Sequence, residues 1–149
     1  MPEPKPLAAA PRGSDEPIPL LDLSAQTAAV SGELRAAFER VLASGQFILG
    51  PELEAFELEV SRHLGAAHAL GVSSGTDALL LALMALEVGP GDEVIAPTFS
   101  FFATAGAIAR LGAKPVFVDI EAHTFNLDVA QVEAKLSGRT KAIIPVHLF

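Results

Sequence analysis

The chain has 149 residues, 50% of them hydrophobic and 19% charged, with a formal net charge of −8 from 10 Lys plus Arg against 18 Asp plus Glu. That balance supports a folded core. Its acidity is a poor match to nucleic acid or to an anionic membrane surface. Cysteine is absent, which excludes disulfides, thiolate nucleophiles and cysteine-ligated metal centres.

Residues 1–17 are rich in proline and alanine and predict a disordered leader, without the basic stretch and apolar run of a signal peptide. The longest apolar run, 78–86, has nine residues, far short of the roughly 20 that a membrane-spanning helix needs. A soluble, cytoplasmic protein is therefore expected, with residues 18–149 as its folded part. Residues 18–23 (IPLLDL) form a short apolar segment whose prolines argue against a central strand. Leu34, Phe38, Val41 and Leu42 recur at helical spacing, so a helix is expected over 31–43, stopped by Gly45. A loop at 46–50 precedes Pro51, which suits a first helical turn, and a helix over 52–64 is closed by Gly65.

From residue 67 the pattern changes to strands alternating with helices. A short buried strand is expected at 68–72, a turn at 73–77, and a helix over 78–86. That helix is apolar nearly all round and so should be buried on several sides. A reverse turn at 89–92 leads to a strand at 93–97, then a helix over 101–111 stopped by Gly112. A strand at 114–119, an amphipathic helix over 128–136 and a strand at 141–146 complete the series. Four apolar strands alternating with helices imply an α/β fold: a mostly parallel sheet with helices on both faces. Residues 142–149 (AIIPVHLF) are almost wholly apolar and end without a closing helix, so the chain is expected to be the N-terminal part of a longer protein.

Two segments have the chemistry of a site. Ser73, Ser74, Gly75, Thr76 and Asp77 lie between an expected strand and an expected helix. Helix N-termini offer unpaired N–H groups and partial positive charge to an anion. Gly75 permits close approach, and Ser74 and Thr76 add hydroxyls. The same residue types are also the preferred helix caps, and the charge of Asp77 opposes a phosphate unless it points away. Both dinucleotide and P-loop glycine fingerprints are missing, which argues against a nicotinamide-binding domain. The second segment, 97–104 (PTFSFFAT), follows a strand at the edge where open α/β sheets bind ligands. Its Phe residues suit either a stacking face for a planar ring or ordinary packing. His63, His68, His123 and His147 show no metal-ligand spacing, so no metal site is expected.

Six strings in collinear order identify a resemblance: IPLLDL (18–23), SGQFILGPELEAFE (44–57), GVSSGTDALLLAL (71–83), GPGDEVIAPTFSFFATA (89–105), GAKPVFVDIE (112–121) and RTKAIIPVHLF (139–149). They resemble the N-terminal portion of the DegT/DnrJ/StrS-type sugar aminotransferases, fold-type I enzymes that use pyridoxal 5′-phosphate (PLP). The resemblance implies a partial large domain of that fold. It implies that the Ser74, Gly75, Thr76 and Asp77 turn cups the PLP phosphate and that Phe101 stacks on the pyridine ring, with Phe102 packed into the core. Phe47, Leu49 and Gly50 match a segment near the active site, and His147 is a further candidate for substrate contact. The Schiff-base lysine and the aspartate that pairs with the pyridine nitrogen fall beyond Phe149 in the family pattern. None of Lys5, Lys114, Lys135 and Lys141 matches the catalytic motif, so this chain alone should lack transaminase activity. For the complete protein the resemblance implies a homodimer that takes an amino group from glutamate or glutamine and gives it to a nucleotide-linked keto-sugar. The alternatives are a sugar dehydratase on the same scaffold and a non-catalytic binding protein that kept the fold.

Overall fold

A computed structural model describes residues 19–148; the expected leader, Ile18 and Phe149 lie outside the described residues. The described residues fall into two compact units, divided between Ala69 and Leu70.

The N-terminal unit holds two helices, α1 (Ser24–Ser44) and α2 (Pro51–Leu64). α1 starts seven residues before the expected position. Its first two turns, SAQTAAV, are rich in alanine, which favours helix without producing any apolar period. Both helices end as expected on glycines in the left-handed region, Gly45 at φ 67° and Gly65 at φ 64°. There the N–H turns back onto the last carbonyls without a Cβ clash. Arg40 of α1 forks onto Glu52 of α2, with Nε donating at 2.6 Å and Nη2 at 3.2 Å. Both side chains are exposed, so the pair fixes geometry more than it stabilises. Val30, Leu34, Phe38 and Leu42, four residues apart along α1, all remain exposed.

The C-terminal unit is a parallel three-stranded sheet in the order β2-β1-β3, with β1 (Glu93–Pro97), β2 (Lys114–Val118) and β3 (Thr140–Ile143). Three helices accompany it: α3 (Gly75–Ala85), α4 (Phe102–Arg110) and α5 (Val129–Lys135). The central strand β1 is buried from end to end. Alternation along it divides the core. Val94 and Ala96 pack with Leu83 of α3 and Ala107 and Ile108 of α4, while Ile95 packs with Val118 and with Val132 of α5. Helices therefore cover both faces, as the strand–helix alternation predicts.

Four expectations are corrected. Residues 68–72 form no strand, and Leu70 and Val72 are exposed. A strand exists only where a neighbour accepts its ladder hydrogen bonds, and none of the described strands pairs with this segment. The sheet thus has three strands, not four, among the described residues. α3 buries only Leu83, leaving Leu81 and Met84 exposed, because it packs through one side and no described element covers the others. Phe102 is 81% exposed rather than in the core. It opens α4 outside the buried face, its ring against Gly106, while Ala103, Thr104, Ala107 and Ile108 make that buried face. The last strand stops at Ile143 instead of 146. Ile144 donates the final rung to the Ile95 carbonyl at 2.9 Å, and Pro145 has no N–H to continue.

At the amino edge of the sheet Glu93 is held by three donors: Ser137 Oγ at 2.7 Å, Arg139 Nη2 at 2.6 Å and Lys114 Nζ at 3.3 Å. The Ser137 hydroxyl, then Lys114 and Arg139, pull its carboxyl down to about 2. This clasp ties together the ends of all three strands, leaving the carboxyl edge to carry loops.

Candidate functional site

The carboxyl edge is where the connections after β1 and β3 meet the start of α3. Ser74 caps α3: its Oγ accepts from the Asp77 N–H at 3.1 Å and donates to Asp77 Oδ2 at 2.9 Å. The Ser73 hydroxyl also donates to Asp77 Oδ2. These two hydroxyls, Ser73 first, together with the positive charge of Arg110, hold the Asp77 carboxyl below its ordinary range, so it is charged at neutral pH. The cap consumes the Ser74 hydroxyl and the Asp77 N–H, and the Ala78 N–H goes to the Ser74 carbonyl. Gly75 and Thr76 occupy the first two helical positions, whose N–H groups have no intrahelical acceptor by construction. They are the donors available to an anion.

Gly75 and Thr76 line one concavity of about 360 Å³ with Leu79, Ser100, Phe101, Ala103, Thr104, Val146 and Leu148. Phe101 stands at the N-cap of α4 and is 75% exposed. A flat aromatic face and two free helix amides therefore share one opening. A Cβ built on Gly75 would meet nothing within 4 Å, so the space in front of its backbone is open. On the other side of Phe101 a second concavity, about 310 Å³, is lined by Pro97, Thr98, Phe102 and Phe117 and shares Ser100, Phe101 and Thr104 with the first.

Of the expected site residues, Gly75, Thr76 and Phe101 come together in the first concavity. Ser74 and Asp77 sit at its edge, engaged in the cap. His147 is exposed and lies between two lining residues without lining the concavity itself. Phe47 and Leu49 belong to the N-terminal unit, where they line a separate hollow of about 600 Å³ with Gly45, Gln46, Ile48 and Glu54. Gly50, next to them, is buried. Leu49 stands at φ 51°, a left-handed conformation that leucine rarely adopts. Sequence reasoning missed Ser100 and Thr104 as individual residues. Their signal is two hydroxyls four residues apart across a helix start. Among the described residues no group of acidic or histidine side chains is placed to hold a metal, and no helix is long and apolar enough to cross a membrane.

The model of the DegT/DnrJ/EryC1/StrS aminotransferase family matches residues 29–149. The chain is 52% identical to a pleiotropic regulatory protein of Geobacillus stearothermophilus and 51% identical to UDP-N-acetyl-3-dehydro-alpha-D-glucosamine 3-aminotransferase of Acidithiobacillus ferrooxidans. Each match covers 89% of this chain and 36% of the relative. Among solved structures it is similar to DesV of S. venezuelae in complex with a ketimine intermediate. That match has a TM-score of 0.85 and 46% identity, and covers 89% of this chain and 36% of that one. The chain spans about a third of the length of the curated relatives it matches.

Proposed function

The chain belongs to the DegT/DnrJ/EryC1/StrS aminotransferase family, and on that premise we propose that the full protein is a PLP-dependent sugar aminotransferase. It moves an amino group from glutamate or glutamine to a keto-sugar carried on a nucleotide. Aminotransferases of this family use PLP, and a relative of 51% identity is named for a UDP-linked sugar. The observation in this chain that carries the reading is the shared opening of the α3 amides and the Phe101 ring.

The donor set fits the cofactor. A phosphate monoester matches the free N–H groups of Gly75 and Thr76 at a helix N-terminus, where the helix dipole adds attraction. The hydroxyl of Thr76 is a further donor. A pyridine ring matches the exposed face of Phe101. Gly75 and Thr76 would hold the phosphate, Ser74 and Asp77 would keep that turn in shape, and Phe101 would lie against the ring. When bound, the cofactor supplies an electron sink for carbanion chemistry. The residues of this chain bind it, orient it and keep water from one of its faces. The lysine and the aspartate that complete the family's chemistry are expected beyond Phe149. Phe47, Leu49, Gly50 and His147 are proposed contacts for the sugar. A cytoplasmic homodimer serving polysaccharide biosynthesis is the setting that agrees with these assignments.

A second reading is favoured by one finding: the relative of 52% identity is named a regulatory protein. On that reading the fold binds the cofactor or a sugar without turnover. A lysine at the family's Schiff-base position in the full protein separates the two.

The test is a PLP titration of the full protein followed by absorbance. Thr76→Asp puts a second charge beside the phosphate and is expected to weaken binding about tenfold or more; unchanged affinity overturns the site assignment. Chain 1–149 alone is expected to give no lysine-dependent absorbance at about 410–430 nm.

A further inference from the structure

Phe101 presents a puzzle of positioning. Phe101 is 75% exposed, so the described residues do not hold its ring by packing, yet a stacking face is useful only at a fixed angle. The segment around it supplies two constraints. Ser100 Oγ and Thr104 Oγ1 lie 2.7 Å apart, a hydrogen bond that bridges the residue before Phe101 to the third residue of α4. The Thr104 N–H donates to the Phe101 carbonyl at 3.1 Å. Together they bracket Phe101 on both sides and keep its backbone extended at φ −66°, ψ 147°. With the backbone fixed, the direction of the Cα–Cβ bond is fixed, and the ring is left only rotamer choice.

Both hydroxyl residues face the same space as the ring: Ser100 and Thr104 line the two concavities that Phe101 separates. Thr104 is 6% exposed and lies on the buried face of α4, so the bridge is anchored in the core rather than in the loop. Valine would fill the same volume there. A hydroxyl in that place serves a partner, and the partner is Ser100.

We propose that Ser100 and Thr104 are positioning residues, a hydroxyl bridge that aims the Phe101 ring at the planar ligand of this site. The proposal rests on the PLP reading above and extends it to residues that do not touch the phosphate. Neither hydroxyl takes part in bond making.

The experiment uses the full-length protein with PLP as the probe, reading the dissociation constant and the circular dichroism induced in the bound cofactor's absorption band. Thr104→Val keeps the volume and removes the bridge. It is expected to weaken PLP binding about fivefold, the order one hydrogen bond is worth, and to change the induced dichroism. Thr104→Ser keeps the hydroxyl and should retain the parent signal. Ser100→Ala, at a half-buried position before the helix, should reproduce Thr104→Val should that variant fold poorly. In a Phe101→Ala background, Thr104→Val should add nothing, because the bridge acts through the ring. Parent-like affinity and dichroism in both Thr104→Val and Ser100→Ala overturn the proposal, as does simple additivity with Phe101→Ala. A parent protein that does not bind PLP overturns the cofactor reading itself, an outcome visible before any variant is made.

Discussion

Gly75 and Glu93 show how differently single residues matter at the two edges of one sheet. Space in front of Gly75 is open, so Gly75→Val is expected to change the stability of the chain by no more than about 0.5 kcal/mol, read as a melting temperature close to the parent's. The same change in the full protein should abolish tight PLP binding by filling the approach to the backbone. A variant that binds PLP normally would show that nothing comes close to that backbone. Glu93 is the converse, a residue with a structural task and no ligand. Its folded pKa of about 2 lies below its ordinary 4.5. A depressed carboxyl contributes stability that is present above about pH 4.5 and is lost as pH falls toward 2. Thermal melts between pH 7 and pH 2.5 should therefore show a smaller loss in Glu93→Gln, already less stable at pH 7, than in the parent, the remaining loss coming from other depressed carboxyls such as Asp77 and Asp128.

At the scale of elements, the helices of the N-terminal unit separate propensity from packing. Gly32 lies in the middle of α1, where a Cβ would meet nothing within 4 Å. Gly32→Ala should stabilise the chain by about 0.5–1 kcal/mol, read as a higher urea midpoint at unchanged m-value. Gly50, at the entrance to α2, is the opposite case. A Cβ there would sit 2.6 Å from the Gln46 carbonyl oxygen, so the 46–50 loop closes only over glycine. Gly50→Ala should cost about 1–3 kcal/mol and loosen the loop that carries Phe47 and Leu49, measurable as faster amide exchange at 46–50. The IPLLDL-to-α1 boundary shows the limit of periodicity: alanine-rich turns extend a helix silently, because alanine marks no face.

Taken together, the described residues expose an unusual amount of apolar side chain. Leu34, Phe38 and Leu42 on α1, and Leu81, Met84 and Leu86 at α3, are all about half exposed or more. Isolated soluble folds rarely leave such stripes uncovered. Chain 1–149 alone is therefore expected to bind the dye ANS strongly at neutral pH. Leu34→Glu with Phe38→Glu should reduce that signal without lowering α-helical circular dichroism, since neither side chain is buried. Dye binding at background level would mean that these stripes are covered in solution.

What the residues determined alone was local. Glycine stops at Gly45, Gly65 and Gly112, proline at the start of α2, and the strands around β1 and β2 all follow from backbone sterics and from apolar runs short enough to be buried in a sheet. The motif strings carried the family, and with it the pairing of Gly75, Thr76 and Phe101. Tertiary structure decided what depends on neighbours. Residues 68–72 have strand composition but are not part of the β2-β1-β3 sheet, and α3 is apolar all round but, among the described residues, buries only Leu83. Phe102 turns outward while its neighbours Ala103 and Thr104 turn in. The Ser100–Thr104 bridge is a product of the folded structure. Two hydroxyls four residues apart are common, and a hydrogen bond between them at 2.7 Å exists only because α4 begins between them, with Phe101 as its cap. Hydrogen bonds and burial are properties of pairs, and a chain read in order does not say which pairs will meet.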